Sequence, residues 1–497
     1  MKCFYKTESR TEERLKYYAL PFFVSLVIGL VAHGFMLTNK ISFGGDVSGI
    51  FEKGATYISG RWGLELIKWL MPDISMPWFN GMFSLVLVSA AICVMLDIFR
   101  IESRGLQLLL AGLIICFPAQ SATLCYMFTC APYGLSLLLA VTAVWVFENC
   151  GNRIRWIISP LMLIFSCSIY QGYFAFASSF CVIIMIKELL NGRDSRDVFI
   201  HGLVMLAMLL ISVALYGVTV PLAAKLAGLP VLDAINDEQS MLLRFAVAYS
   251  AYLKTYIMGY FGYVNSFVSM LMHLALVAFA AVLALRTQLR DKNLVRIGLL
   301  GLLVFIFPLS CYCIYLLSDN GYIHSLALFP FSSVYLLMAV IFEKYIGGEK
   351  RRARLLISAA MCVIIFCNIL FANQLYFQSY LQYESKRDFY TSLMAVVTRT
   401  EGFDESVKLA VVGDAPAMQR DFEQYFNLSG FQHPSNNITH VEHVEGFIRN
   451  CLGYELPCAG TAEIAELEQL EEVQAMAVYP CYGSVKRVGD YMVVRLG

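Results

Sequence analysis

This chain carries little charge. Only 15% of its 497 residues are charged, and 37 lysines and arginines balance 37 aspartates and glutamates, so the formal net charge is zero. A neutral chain has no overall field to attract nucleic acid, and we expect no nucleic-acid partner. Hydrophobic residues make up 58% of the chain, above the roughly 45–50% of soluble domains. Most of the chain is therefore expected to lie in a membrane.

Several common catalytic and metal-binding motifs are also missing. The sequence has no P-loop, no G-x-S-x-G, no H-E-x-x-H and no C-x-x-C spacing, which argues against ATPases, hydrolases, zincins and structural zinc sites. Most of the 15 cysteines lie in apolar runs and are expected to pack as small hydrophobic residues. Cys451, Cys458 and Cys481 lie in a polar tail, where one disulfide is an open alternative. We predict no metal and no cofactor.

Apolar runs of about 17–25 residues, the length of a helix that crosses a bilayer, recur along the chain. Eleven runs qualify: 17–38, 80–98, 105–121, 131–147, 154–170, 172–189, 199–220, 266–285, 297–317, 325–342 and 354–373. The fifth and sixth runs are nearly continuous, and we divide them at Tyr170-Gln171-Gly172-Tyr173 because a polar break with a glycine permits a hairpin turn. One long tilted helix is the alternative. The predicted fold is an all-α polytopic membrane protein with about 11 transmembrane helices.

The basic residues are unevenly distributed between the two sets of loops. If the N-terminus lies in the cytoplasm, 21 lysines and arginines fall on the inner side, counting the N-terminal arm, and seven fall in outer loops. The positive-inside rule favours this orientation. This orientation places four loops and everything after residue 373 on the outer face. The loops are 39–79, 122–130, 221–265 and 318–324.

The polar tail has the composition of a small soluble domain. An apolar strand is predicted at 409–412, helical structure at 376–400 and 461–473, and a hairpin that turns at Gly489-Asp490. We therefore predict two domains. Residues 1–373 form the transmembrane domain, with the outer-face loops 39–79 and 221–265 lying along the membrane surface, and residues 374–497 form a small extracytoplasmic α/β domain.

A carboxylate and a guanidinium stand close together in the first outer loop. Charged groups beside hydrocarbon are costly and tend to be functional. Asp46 is the candidate base, because Gly44-Gly45 permits a close approach of the backbone, although a helix N-cap is an equally good interpretation. Arg61 could hold a phosphate bidentately, and an arginine that extends to the interface beside Trp62 is the alternative.

Other outer-face residues are weaker candidates. Arg244 and Lys254 could also bind phosphate, but surface helices commonly carry such charges. Tyr170 and Gln171 offer a hydroxyl and an amide at the end of the fifth run, with a simple hairpin turn as the alternative.

Polar residues elsewhere complete the set of candidate site residues. Asp319 and His324 belong to a short polar outer loop that either borders a cavity or is merely solvated. Three histidines lie within or beside membrane runs, where proton relays are conceivable, but we predict satisfied packing histidines; they are His33, His201 and His273.

The order of these features resembles the Gtr type II group of bacterial membrane glucosyltransferases. The resemblance is carried by the early aspartate of the first outer loop, by Gly60-Arg61-Trp62, by Tyr170-Gln171, and by the tail pattern Tyr479-Pro480, Gly483-Ser484-Val485 and Val493-Val494. It implies the C-type glycosyltransferase fold in the bacterial cytoplasmic (inner) membrane, with the active site on the outer side. The implied donor is undecaprenyl-phosphate glucose, and the implied acceptor is O-antigen or another surface polysaccharide.

The same resemblance implies roles for individual residues. Asp46 would be the catalytic base, and the donor or acceptor pocket would be lined by Gly45, Gly60, Trp62, Tyr170 and Gln171. Many relatives have two adjacent acidic residues where this chain has Gly45 before Asp46, a departure that bears on metal use. A donor-making glycosyltransferase and a flippase would act upstream. Two alternatives are a transporter or flippase for a lipid-linked saccharide, and a sensor or scaffold whose tail binds a partner.

Overall fold

The described part of the chain is mostly helical. The computed structural model describes residues 2–41, 59–70, 74–229, 243–246, 249, 267–291, 293–314, 325–346, 351–413 and 441–496. Their contacts form two compact units, the first built chiefly from residues up to Asn373 and the second chiefly from Gln374 onward.

The first unit contains thirteen α-helices in its described residues. They are α1 (Lys2–Thr38), α2 (Trp62–Ile67), α3 (Pro77–Phe99), α4 (Arg104–Ile115), α5 (Pro118–Cys125), α6 (Cys130–Asn149), α7 (Asn152–Ile169), α8 (Phe174–Leu190), α9 (Ser195–Leu226), α10 (Phe267–Asp291), α11 (Leu294–Cys311), α12 (Ser333–Tyr345) and α13 (Arg351–Val397), which continues into the second unit. Two 3-10 helices, Gln171–Tyr173 and Ser325–Ser332, precede α8 and α12.

Nine helices in the described ranges are long and apolar enough to cross a membrane, or ten if α4 and α5 form one span bent by 43°. The chain is thus a polytopic membrane protein, and nine or ten of the eleven predicted runs pass as spans in the described residues. The run 154–170 does not pass: it forms α7, whose first turn carries Arg153 and Arg155, which lower its mean hydropathy. The predicted break at Tyr170-Gln171 is confirmed, because α7 ends at Ile169 and a 3-10 turn follows; a single long helix is excluded.

Small and hydroxyl side chains bring the helices of the first unit together. Ser136 on α6 and Ser166 on α7 are buried, and their hydroxyls lie 3.0 Å apart. A Cβ at Gly134 would lie 3.2 Å from the carbonyl oxygen of Ser84, so α3 and α6 approach closely there. Helices in lipid gain little from the hydrophobic effect on association, and close packing with interhelical hydrogen bonds replaces it.

The loops predicted to be cytoplasmic meet at one end of the first unit. The Tyr17 hydroxyl donates to the carbonyl of Glu102 (3.0 Å), and Lys344 Nζ donates to Asn191 Oδ1 (3.1 Å). Arg296 Nη2 donates to the carbonyl of Gly192 (3.3 Å). These residues come from the ends of α8, α11 and α12, from the loop between α3 and α4, and from the point in α1 where its candidate membrane span begins, so the basic loops share one end of the helix bundle. We call it the basic end.

The second unit contains a three-stranded sheet in the order β1-β3-β2. Its strands are β1 (Lys408–Val412), β2 (Val485–Val488) and β3 (Tyr491–Arg495). β1 runs parallel to β3 and pairs Ala410 with Val493, while β2 and β3 form an antiparallel hairpin in which Gly489 has φ +59°. The predicted strand at 409–412 and the hairpin are confirmed.

Three helices cover this sheet: α14 (Val441–Leu452), α15 (Thr461–Glu468) and α16 (Glu471–Gln474). The last two differ from the prediction. The segment 461–473 was predicted as one helix and is instead two short ones. The contacts divide the two units at the predicted boundary, between Asn373 and Gln374, and this point lies inside α13, an uninterrupted helix of 47 residues. Cys451, Cys458 and Cys481 are all free thiols.

Candidate functional site

The segment Gly60-Arg61-Trp62-Gly63 is held by close contacts with α7 and α9. Gly60 has φ +74°, and a Cβ there would lie 2.7 Å from the Tyr216 hydroxyl oxygen, so a larger residue meets both backbone strain and a steric clash. That hydroxyl donates to the carbonyl of Gly60 (2.9 Å). A Cβ at Gly63 would overlap the Ser168 hydroxyl. The two glycines therefore let the segment lie directly against the two helices.

Trp62 anchors the segment on its other side. Its indole N–H donates to the Thr219 hydroxyl (3.2 Å) on α9, and its ring lies 6.4 Å from that of Phe165 on α7. Trp62 also begins the six-residue helix α2. The indole thus faces these helices, and its role in the structure is to fix the position of the preceding arginine.

Arg61 is half-buried among neutral partners. Its Nε donates to Gln171 Oε1 (3.4 Å), and its Nη1 donates to the Tyr133 hydroxyl (3.1 Å). The guanidinium carbon lies 5.2 Å from the centre of the Tyr170 ring, within the range of a cation–π interaction. Gln171 is itself fixed, because its amide N–H donates to the carbonyl of Ser59 (2.6 Å) and to the Tyr216 hydroxyl (2.9 Å).

A cluster of aromatic rings supports the guanidinium. The rings of Tyr133 and Tyr170 stack at 4.6 Å, and the Tyr173 ring meets that of Tyr170 edge-on at 5.0 Å. The Tyr173 hydroxyl lies 3.4 Å from that of Thr123 on α5. We name Tyr133, Tyr170 and Tyr173 the tyrosine platform. It joins α6 to the turn between α7 and α8.

Burial and the platform have opposite effects on the charge of Arg61. Burial is the largest influence and lowers the pKa of Arg61, but the hydroxyl oxygens of Tyr133 and Tyr170 raise it, together with more distant tyrosines, and the net shift of the pKa is upward. Burial holds the pKa of Tyr170 well above its ordinary value although Arg61 lowers it. The site therefore presents a permanent cation above neutral phenols.

No carboxylate neutralises Arg61 among the residues that the structure describes. Its Nη2 makes no hydrogen bond in the same residues, which leaves that nitrogen free to donate to a ligand. A partly desolvated cation without a counter-ion is costly. An anion that binds there would recover this cost, and phosphate suits the planar fork of a guanidinium.

The structure brings together four of the predicted site residues: Gly60, Arg61, Tyr170 and Gln171. Trp62 is adjacent but directs its indole to α9. Arg244 is half-buried and makes no contact with Arg61. The remaining candidates lie outside the described residues; they are Gly45, Asp46, Lys254, Asp319 and His324. Within the described ranges, no three His, Cys, Asp or Glu side chains are grouped to hold a metal.

Tyr133 and Tyr216 are site residues that the sequence did not single out. Each lies near the end of a membrane run that adjoins a predicted outer loop, the position of interfacial aromatic residues. This signal is weak, because the chain has 28 tyrosines. The contacts Arg61–Tyr133 and Gly60–Tyr216 join residues 72 and 156 positions apart, which no local pattern encodes.

Comparison with known proteins gives one match. A family model described as Glucosyl transferase GtrII covers residues 34–342, more than half of the chain and all of the site residues described above. No curated protein and no solved structure matches the chain.

Proposed function

Because the chain belongs to the glucosyl transferase GtrII family, we propose that it transfers glucose from a polyprenyl-phosphate donor to a bacterial surface polysaccharide. The reaction would take place at the outer face of the cytoplasmic membrane. Undecaprenyl phosphate is the proposed lipid carrier, and O-antigen or a cell-wall glycan is the proposed acceptor. A donor-making glycosyltransferase and a flippase would supply the lipid-linked sugar at that face.

One observation carries this proposal: Arg61 is a cation without a carboxylate partner in the described residues, set on the tyrosine platform beside Gln171. A polyprenyl-phosphate donor has its phosphate at the membrane surface, next to the sugar carbon that reacts. The phosphate becomes the leaving group and gains negative charge as the bond breaks. A preorganised guanidinium in a partly desolvated site stabilises that developing charge.

The proposed reaction inverts the configuration at the sugar. Asp46 takes the proton from an acceptor hydroxyl, whose oxygen attacks the anomeric carbon of glucose. The bond from that carbon to the phosphate oxygen breaks, and its electron pair leaves with the polyprenyl phosphate beside Arg61. No metal or other cofactor takes part. Arg244 and Lys254 are secondary candidates for the phosphate, and Asp319 and His324 for the border of the pocket.

The base role is tested with the variant Asp46→Asn. Membranes that contain the variant are supplied with lipid-linked glucose and an acceptor polysaccharide, and transferred glucose is measured by mass spectrometry of the glycan. Loss of a general base typically lowers the rate by about 10²–10⁴-fold. Undiminished transfer would rule out this role for Asp46. Labelling of a cysteine at position 46 from the cytoplasmic side alone would rule out the outer-face assignment.

A transporter of lipid-linked saccharide is the second candidate, because two interrupted helices face each other in the first unit. The α4–α5 pair is bent, the 3-10 helix before α12 packs against α5, and the rings of Phe117 and Phe329 stack at 6.1 Å where they meet. Broken helices of this kind form substrate sites in transporters. Vesicles that flip lipid-linked glucose without transferring it would favour this candidate, and transfer without flipping would exclude it.

A further inference from the structure

A cavity of about 510 Å³ lies at the basic end, formed by the starts of α4 and α13 and the end of α12. Its polar lining includes Ser103, Glu343, Arg351 and Arg354. The volume is within the roughly 300–1,000 Å³ of small-molecule sites. The residues that hold Arg61 in place do not line this cavity.

The charged lining favours an anion. Arg351 and Arg354 are exposed and stand three positions apart on α13, so their side chains project from the same face of the helix. Among the described lining residues the carboxylate is that of Glu343, whose Oε1 accepts the backbone N–H groups of Ser103 (3.0 Å) and Glu102 (3.3 Å), while its buried Oε2 has no hydrogen-bond partner there. Arg351 makes no hydrogen bond or ion pair with any residue that the structure describes. Two guanidiniums therefore provide the cationic wall.

The rest of the cavity is mainly apolar and adjoins exposed leucines of α13. Leu106 and Leu109 line it from α4, and Leu355 lines it from α13. Leu355 is 60% exposed and the adjacent Leu356 is 73% exposed, on a helix that begins a candidate membrane span. A small soluble anion would leave this apolar wall uncovered. A ligand with a phosphate and a hydrocarbon chain would match both parts of the cavity.

We propose that this cavity binds an anionic phospholipid. Arg351 and Arg354 contact its phosphate, and the upper part of an acyl chain lies along Leu106, Leu109 and Leu355. The arginines stand at the level where α12 ends and α13 begins, which is the level of lipid headgroups if these helices cross the membrane. The site is separate from Arg61 and does not depend on glucose transfer.

The test measures lipid binding to the purified full chain by native mass spectrometry in detergent. Phosphatidylglycerol is compared with phosphatidylcholine of the same chains, in about 0.5 M salt so that general surface attraction is screened. We expect the double variant Arg351→Gln/Arg354→Gln to bind phosphatidylglycerol about 100-fold more weakly, about tenfold for each arginine removed from a charged phosphate. The matched control Arg286→Gln/Arg352→Gln removes two exposed arginines that do not line the cavity, and it should bind as the unmodified chain does.

Three results would overturn the proposal. Equal binding of the two lipids would remove the requirement for an anion, and equal losses in the two double variants would reduce the effect to general surface charge. Complete displacement of the lipid by millimolar glycerol 3-phosphate would show a site for small anions only. Thermal unfolding of each variant checks the fold, and transfer activity is not measured, so failure of the proposed function leaves this test unaffected.

Discussion

Replacing Arg61 by glutamine removes the charge from the centre of the candidate site. Glutamine keeps a polar side chain but cannot form the cation–π interaction with Tyr170, and it has a shorter reach toward Tyr133. Arg61 makes few interactions within the protein: one hydrogen bond at 3.1 Å, a longer one at 3.4 Å to Gln171, and the interaction with the Tyr170 ring. The fold of the first unit should therefore survive the change.

The expected effect on transfer follows from the hydrogen bonds that Arg61 can offer a phosphate. A hydrogen bond to a charged group contributes about 1.5–3 kcal/mol. One to two such bonds to the leaving phosphate, made by Nη2 and the remaining N–H of Nη1, amount to about 1.5–6 kcal/mol. At about 1.4 kcal/mol for each factor of ten, kcat/KM should fall by about 10- to 10⁴-fold. Arg61→Lys should show an intermediate loss, because lysine retains the charge without the planar fork.

The assay follows transfer from lipid-linked glucose in membranes that contain equal amounts of each variant. Lys68→Gln is the matched control, since Lys68 lies just after α2 and pairs with Glu65 at 2.9 Å, outside the tyrosine platform. We expect its activity to stay within about twofold of the unmodified chain, because an ion pair between residues three positions apart on a helix contributes little. Full activity of Arg61→Gln, with unchanged thermal unfolding, would refute the role of Arg61 as the phosphate-binding cation.

Three further predictions concern other parts of the chain. Tyr170→Phe keeps the ring under Arg61, and its rate of glucose transfer should be within about twofold of that of the unmodified chain. The rate of Tyr170→Leu should fall by about tenfold, since a partly desolvated cation–π contact is worth about 1–2 kcal/mol. Equal activities of the two variants would contradict this. Gly60→Ala should lower the free energy of unfolding, measured by thermal unfolding, by about 1–3 kcal/mol. Gly217→Ala should not lower it, because a Cβ at that position meets nothing within 4 Å. Lys408, whose Nζ lies 2.7 Å from Glu463 Oε1, lowers the pKa of Glu463 to about 2, with further contributions from the N–H of Gly460 and the Tyr491 hydroxyl. The ionised carboxylate should therefore stabilise the second unit above about pH 4.5 and lose this effect as the pH falls toward 2. Hydrogen exchange of peptide 461–468 should then be faster in Glu463→Gln than in the unmodified chain at pH 6, and the difference should become small at pH 2, where about half of the carboxylates are protonated. A constant difference would contradict the assignment.

Local patterns were sufficient for the helices, the hairpin and the turn at Tyr170-Gln171. Membrane helices are set by long apolar runs, and the hairpin by alternation around Gly489, so both can be read within a short window. The continuity of α13 was not predicted: the composition changes from apolar to polar at residue 373, where the contacts also divide the two units, but the backbone stays helical. Composition reports the environment of a helix and does not by itself mark its end.

The histidines also show which contacts a local pattern can predict and which depend on the folded structure. His201 was predicted to be a packing residue, and its two carboxylate partners on other helices were not predicted. Its ring nitrogens lie 3.1 Å from Glu148 on α6 and 3.1 Å from Glu188 on α8. Spacing within one helix cannot report carboxylates that two other helices supply. His33, in contrast, contacts a backbone carbonyl at Ile115 (2.9 Å), in agreement with a packing role.

The class of the protein, its family and the candidate residues Gly60-Arg61-Trp62 and Tyr170-Gln171 could all be predicted from the sequence, because hydropathy and short motifs are local properties of the chain. Only the tertiary structure decided what surrounds Arg61. Tyr133 and Tyr216 reach the site from helices far away in sequence, and the described residues supply no carboxylate to pair with the guanidinium. These facts depend on how helices pack, and packing is a property of the folded chain as a whole.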